Sequence, residues 1–228
     1  MGPRRPPLPL PSVVGLTPPT DFADRLAAIG VTLEPAYDRT VEKLGRFLAL
    51  LLAMNEHVNL TAVTEPAEAW SRHVLDALSL VPFLEALPPN ARLLDVGSGG
   101  GVPGIPLGIA RPDLRITLLD ATEKKVAFLR SAAAELGLSN VEAVCGRAES
   151  VDLGDRFDVV TARAVAKISA LLPWTAPFAR KGGRILCIKG ERADIELGEA
   201  AAVLKRFRCT HEGTHPTPTG RIVVLHVA

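Results

Sequence analysis

Residues 91–120 read ARLLDVGSGGGVPGIPLGIARPDLRITLLD. An apolar run, Leu93-Leu94, meets Asp95, and a loop holding Gly97, Gly99, Gly100, Gly101 and Gly104 follows. The chain then turns amphipathic through Ile105, Leu107 and Ile109. A second apolar run over 116–119 ends on another acid, Asp120. This pattern predicts strand, glycine turn, helix and strand, one βαβ unit. Glycine permits positive φ and carries no Cβ, so such a turn is sharp and comes close to a ligand. The turn feeds the start of a helix, whose free N–H groups favour electron-rich ligand atoms. Pro103 and Pro106 suit that first turn, where a missing N–H costs little. Asp120, ending the second strand, can accept hydrogen bonds from both hydroxyls of a ribose. The unit therefore predicts a nucleoside-cofactor site.

Two registers fit the glycines. Gly99-x-Gly101-x-x-Gly104 matches the dinucleotide pattern and leaves an NAD-dependent oxidoreductase open. Asp95-x-Gly97-x-Gly99-x-Gly101 is the stronger pattern. It resembles motif I of class I methyltransferases, which bind S-adenosylmethionine and release S-adenosylhomocysteine. That resemblance implies Asp120 on the ribose and adenine contacts after the third strand, where Ala148 and Glu149 stand.

The chain of 228 residues allows one α/β domain plus a small addition. A hydrophobic content of 47% fits a sizeable core, and no apolar run is long enough to span a bilayer. The net charge of +1 means that any nucleic-acid partner must be met by basic residues gathered on one face. The three cysteines, Cys145, Cys187 and Cys209, are widely spaced, which argues against a disulfide framework or a metal knuckle and for a reducing cytoplasm. Seven prolines in the first twenty residues predict a disordered or extended tail over 1–20. There, Arg4 and Arg5 are weak candidates for RNA affinity.

Residues 21–90 read as a helical segment packing on the core: one short helix over 21–30, a longer one over 35–55, a break over 55–64 and a third helix over 65–87. In the third, Trp70, Val74, Leu75, Leu78 and Val81 form the expected buried stripe, with Arg72, His73, Asp76 and Ser79 off it. Residues 91–228 form the cofactor domain. After Asp120, a helix capped by Thr122 runs to Leu136 and strands follow over 141–146 and 157–162. A helix divided by Pro173 and Pro177 leads to a fifth strand over 184–189 and a helix over 191–205. The last strands, over 207–214 and 221–227, share a proline-rich turn and suggest a hairpin. The expected fold is thus α/β, a mostly parallel sheet of the class I methyltransferase kind with a C-terminal β-hairpin and an N-terminal helical addition.

Ligand chemistry in such folds collects at the carboxyl ends of the strands. After the fourth strand stand Thr161-Ala162-Arg163-Ala164. The Asn/Asp-Pro-Pro-aromatic tetrad that resembles exocyclic-amine methyltransferases is not there, nor is the cysteine nucleophile that pyrimidine carbon-5 transfer needs. An acceptor with its own in-plane lone pair needs neither device, and guanine N7 is such an atom. What the protein must then supply is alignment and electrostatics. Arg163 is the candidate catalytic residue, holding or stacking on the guanine. Arg72, His73, Lys189 and Arg221 are the candidate RNA contacts on the same edge.

Several segments together resemble one family, the bacterial 16S ribosomal RNA guanine-N7 methyltransferase G family, also called glucose-inhibited division protein B. They are Asn59-Leu60-Thr61-Ala62-Val63, Arg72-His73-x-Leu75-Asp76-Ala77-Leu78, the glycine loop continued by Pro103-Gly104-Ile105-Pro106, residues 119–125, Gly146-Arg147-Ala148-Glu149, Ala162-Arg163-Ala164 and Ile188-Lys189-Gly190. The resemblance implies methyl transfer from S-adenosylmethionine to N7 of one guanine in the 16S RNA of the small ribosomal subunit. The protein is expected to be a cytoplasmic monomer without metal or membrane. The resemblance also implies cofactor contacts from Gly97, Val102, Asp120, Ala121, Thr122, Ala148, Glu149 and Arg163, beside Asp95, Gly99 and Gly101 of the loop itself. Two features depart from the family pattern, the proline-rich tail and a last strand that begins Arg221-Ile222 rather than Arg-His. A non-catalytic RNA-binding protein on the same scaffold is the remaining alternative.

Overall fold

The computed structural model describes residues 8–33, 36–154, 156–163 and 166–228. The expectations for Arg4, Arg5, Pro35 and Ala164 lie outside the described residues.

Among the described residues, seven strands form one sheet in the order β3-β2-β1-β4-β5-β7-β6. They are β1 (Arg92–Val96), β2 (Arg115–Asp120), β3 (Val141–Cys145), β4 (Phe157–Arg163), β5 (Ala179–Lys189), β6 (Cys209–Pro216) and β7 (Arg221–Val227). The first five run parallel, and β7 pairs antiparallel with both β5 and β6. This is the parallel sheet with terminal hairpin that the sequence leads one to expect. The fifth strand begins earlier than expected, and β6 starts and ends two residues later.

Strand residues alternate between two cores. Leu93, Ile116, Leu118, Val159 and Leu186 face one, while Leu94, Leu119, Val160, Ile185 and Cys187 face the other. Near-continuous apolar runs are what a sheet covered on both faces requires.

The first face is covered by the N-terminal helices α1 (Phe22–Ala28) and α2 (Tyr37–Val58), by the third helical segment, and by α5 (Gly104–Ala110) and α6 (Glu123–Glu135). Leu44, Leu48 and Leu51 of α2 belong to the same apolar cluster as Ile105 and Phe128, so helical segment and sheet share one core. The third segment is not a uniform helix. It runs as α3 (Pro66–Ala69), a π-helical stretch (Trp70–Leu75), α4 (Asp76–Leu78) and a 3₁₀ turn (Val81–Leu84). The expected stripe is buried, with Trp70 edge-on to Phe22 at 4.9 Å between ring centroids.

The second face carries α7 (Ile168–Thr175), with Pro173 inside it, then α8 (Ala193–Glu199) and α9 (Ala201–Arg206), which replace the single helix expected over 191–205. Thr122 precedes α6 but makes no side-chain cap; its N–H is taken instead by the Asp120 carboxylate at 2.8 Å. Among the described residues no helix is long and apolar enough to cross a membrane.

Residues 8–20 follow the extended alternative of the expected disordered or extended tail but do not lie free of the domain. They carry neither helix nor strand, yet Leu8, Leu10 and Leu16 pack against the first core. Leu16 N–H donates to Gly45 O at 3.0 Å, and Ser131 Oγ donates to Leu8 O at 2.8 Å. Prolines prevent regular structure but leave carbonyls free to accept and leucines free to bury.

The strap crosses α2 where α2 lacks a side chain. A Cβ on Gly45 would lie 2.3 Å from Leu16 O. Gly45→Ala is therefore expected to cost about 1–3 kcal/mol and to lift the strap. Limited proteolysis checks this: cleavage within 8–20 should quicken in the variant, and unchanged cleavage would contradict it.

Candidate active site

β1 carries Asp95 into the middle of the sheet, opposite Leu118 of β2 and Thr161 of β4. The residue is 1% exposed. Its Oδ2 accepts the Gly104 N–H at 3.2 Å, its Oδ1 accepts the Thr161 hydroxyl at 3.2 Å, and its carbonyl accepts Ser98 Oγ at 2.8 Å. Asp95 thus lies under the glycine loop and fastens the first turn of α5 to β4. Gly97, Gly99 and Gly101 have φ of 72°, 55° and 91°, the left-handed region that side chains resist. At Gly104 the constraint is space, since a Cβ would stand 2.1 Å from Leu118 Cδ2 and 3.0 Å from Asp95 Oδ2. Burial raises the Asp95 pKa to about 6, while the hydrogen bonds it receives and the Arg163 charge pull the other way.

Asp120 holds the other end of the loop. Its Oδ2 accepts Gly99 N–H at 2.9 Å and its Oδ1 accepts Thr122 N–H at 2.8 Å. Each oxygen keeps a further lone pair for a ligand hydroxyl. Beside it opens a cavity of about 210 Å³. Gly97, Asp120, Ala121, Ala148 and Glu149 line it, together with Trp174. Hydroxyl acceptor, small side chains and a flat indole in one wall suit an adenosine. Gly99, Gly101, Val102 and Thr122 belong to the loop and turn behind this wall, and neither Asp95 nor Arg163 lines it. Trp174 was not foreseen. The signal for it is an aromatic in α7 off that helix's fully buried positions Ile168, Leu171, Leu172 and Thr175.

Arg163 ends β4, half-buried, with Nη1 3.3 Å from His73 Nδ1. Burial lowers its pKa from the ordinary value, an effect the Asp76 charge offsets in part. His73 corrects an expectation: instead of facing RNA it is 6% exposed, with Nε2 2.8 Å from Thr61 Oγ1. Burial first, then the Arg163 charge, push its pKa down to about 4. Asp76 and Ser79, expected off the buried stripe, are also buried, at 2% and 5%. The reason is the β6–β7 turn, which returns over this side: Asp76 Oδ1 accepts Thr219 N–H at 3.0 Å and Oδ2 accepts the Thr219 hydroxyl.

Lys189, at the end of β5, is a second correction. Its side chain is 8% exposed and its Nζ lies 2.8 Å from Glu196 Oε2 of α8, an ion pair inside the protein rather than a free RNA contact. Arg221 opens β7 directly across from Lys189; it is partly exposed, 3.9 Å from Glu191, with its buried Nε lacking a hydrogen-bond partner. Arg72 is exposed and pairs with Glu68 at 3.0 Å. The strand ends therefore do bring Arg163, Lys189 and Arg221 onto neighbouring strands; of these, Lys189 is closed off by Glu196, while Arg163 and Arg221 are partly exposed and Arg72 lies exposed beside them. Cys187 is buried in β5, its thiol pushed up to about 12 by burial, as befits a core residue.

Comparison with known proteins adds the following. The family described as rRNA small subunit methyltransferase G matches residues 40–215. A protein of Sorangium cellulosum named ribosomal RNA small subunit methyltransferase G is 56% identical, over 97% of this chain and 93% of its own. One of the same name from Moorella thermoacetica is 41% identical over 80% and 78%. Among solved structures, a SAM-dependent methyltransferase from Aquifex aeolicus superposes with a TM-score of 0.56 at 17% identity, covering 71% of this chain and 93% of that one. A ribosomal protein L11 methylase from Lactobacillus delbrueckii superposes with a TM-score of 0.53 at 17% identity, covering 67% and 76%. The fold is that of class I methyltransferases.

The Asp95 carboxyl yields a pH prediction. Its folded pKa, about 6, lies above its ordinary 3.8, so the protonated form is the one folding favours. That contribution is complete below about 3.8 and is lost as pH rises through about 6. Asp95→Asn, which cannot ionise, should therefore gain in melting temperature relative to the unsubstituted protein as pH rises across this window. A difference that stays constant would contradict the assignment.

Proposed function

The chain belongs to the rRNA small subunit methyltransferase G family, and on that premise we propose that it transfers the methyl group of S-adenosylmethionine to N7 of a guanine in 16S ribosomal RNA. The observation that carries the cofactor half is the adenosine-sized cavity in which Asp120 is flanked by Gly97, Ala148 and Trp174. When bound, S-adenosylmethionine supplies a methyl group on a positively charged sulfur. In this reading Asp120 accepts hydrogen bonds from the ribose hydroxyls. Ala121, Ala148, Glu149 and Trp174 enclose the adenine. The glycine loop, pinned at Gly99 and Gly104, brings its backbone close to the rest of the cofactor.

Guanine N7 would take the methyl through its own lone pair as the methyl–sulfur bond breaks and neutral S-adenosylhomocysteine leaves; no proton is lost, so the site needs no general base. The surroundings agree with that economy. His73 is neutral and turned away from solvent, with a hydrogen bond at each ring nitrogen. Arg163 donates to the guanine O6 and fixes the ring in line with the methyl group. The Asp76 and Asp95 charges near Arg163 moderate its repulsion of the positive charge that reaches the base. Arg72 and Arg221 hold phosphates. The protein acts in the cytoplasm as a monomer on the small-subunit RNA, free or in a particle. Family membership removes the oxidoreductase alternative.

The test is transfer from S-adenosylmethionine carrying a labelled methyl group to unmodified small subunits and to 16S RNA, followed by nucleoside analysis. Label should appear in 7-methylguanosine; label in any other nucleoside would refute the acceptor. Arg163→Ala should lower kcat by about 10- to 100-fold with a smaller loss in RNA affinity. A loss in affinity alone would make Arg163 a phosphate contact.

A further inference from the structure

The partners of His73 decide which of its nitrogens carries the proton. A guanidinium has only N–H donors, so the 3.3 Å contact with Arg163 Nη1 is a hydrogen bond only when Nδ1 is unprotonated, and this contact selects that tautomer over one in which the ring donates to the nearby Arg72 carbonyl. The hydrogen is then on Nε2 and is donated to Thr61 Oγ1 at 2.8 Å. Thr61 is itself held. Its hydroxyl oxygen accepts Val63 N–H at 3.0 Å. Its backbone N–H donates to Asn55 Oδ1 at 2.8 Å, and its carbonyl accepts from Asn55 Nδ2 at 2.8 Å. A rigid turn after α2 therefore fixes one edge of the imidazole, and the other edge meets the arginine.

We propose that His73, as the neutral Nε2–H tautomer braced by Thr61, is a positioning residue that sets the orientation of the Arg163 guanidinium. This rests on the reading of Arg163 as the group that meets the base. Burial keeps the ring uncharged near neutral pH, as the geometry requires, since a protonated Nδ1 would face the guanidinium with a second donor. Asp76 attracts Arg163 by charge, but its two oxygens already accept from Thr219. A charge brings a guanidinium near, whereas a hydrogen bond aims it. Thus the turn at 59–63 and the π-helical stretch serve the strand-end arginine, although neither lines the cofactor cavity.

Two substitutions separate aiming from mere packing. Asparagine places its amide oxygen near the position of Nδ1, and glutamine places its amide nitrogen near that of Nε2. His73→Asn keeps an acceptor for Arg163 and should retain most of kcat. His73→Gln keeps only the Thr61 contact and should lose about tenfold or more in kcat, with KM for S-adenosylmethionine unchanged. His73→Gln combined with Arg163→Ala should be no slower than Arg163→Ala alone. Equal losses in the two His73 variants, or additive losses in the double variant, would overturn the proposal while leaving Arg163 in its role. Arg163→Ala at full turnover would overturn both. If His73→Gln does not fold, Thr61→Val decides: it frees the ring without removing it, so a fall in kcat supports positioning and an unchanged kcat overturns it.

Discussion

A buried carboxylate with two loop-fixing partners is the constraint on which the rest depends. Asp95 sits where β1, β2 and β4 meet, and its two oxygens receive the Gly104 amide and the Thr161 hydroxyl. Twenty-one residues from Gly99, Asp120 receives that glycine's amide. The glycine loop is therefore held near both ends by acids at or one residue before the ends of neighbouring strands, and its backbone is placed before any ligand arrives. Such preorganisation is where a site that needs no acid–base group can find its rate. The cost is visible in Asp95 itself, whose burial works against its charge.

The same loop joins the two parts of the chain. A Cβ on Gly100 would stand 2.7 Å from Leu51 Cδ1 of α2 and 3.1 Å from Leu60 O. The helical segment thus presses on the loop from one side while the sheet holds it from the other. Leu60 is followed by Thr61, whose hydroxyl meets His73, and His73 in turn meets Arg163. What reads as an addition to a methyltransferase domain supplies part of the wall around the strand-end arginine.

Much of this was legible in the sequence for physical reasons. Strand and helix periods gave the sheet, because a doubly covered sheet writes itself as apolar runs. The acid–glycine spacing gave the sharp loop between β1 and α5, because positive φ and close packing admit only glycine. What was not legible came from distant contacts. His73 and Asp76 read as the polar side of an amphipathic helix; the turn at Thr219, 143 residues beyond Asp76, covers Asp76, and Thr61 and Arg163 meet His73. Lys189 read as a free strand-end charge until α8 brought Glu196 to it. The proline-rich segment read as tail because local pattern cannot show that α2 has a glycine where Leu16 must pass. Trp174 is marked locally only by its place off the buried positions of α7, and that place does not say that a cavity lies beside it.

The most direct measurement is calorimetric titration of S-adenosylmethionine into the unsubstituted protein and into Asp95→Ala. Asp95 lies outside the cavity wall, so in the proposed reading it acts on the cofactor through the loop. If it is the anchor, affinity should fall by about 2 kcal/mol, roughly thirtyfold, in a variant that remains folded. Equal affinity in the two proteins would show that the loop is placed by other means and would contradict the role given to this carboxylate.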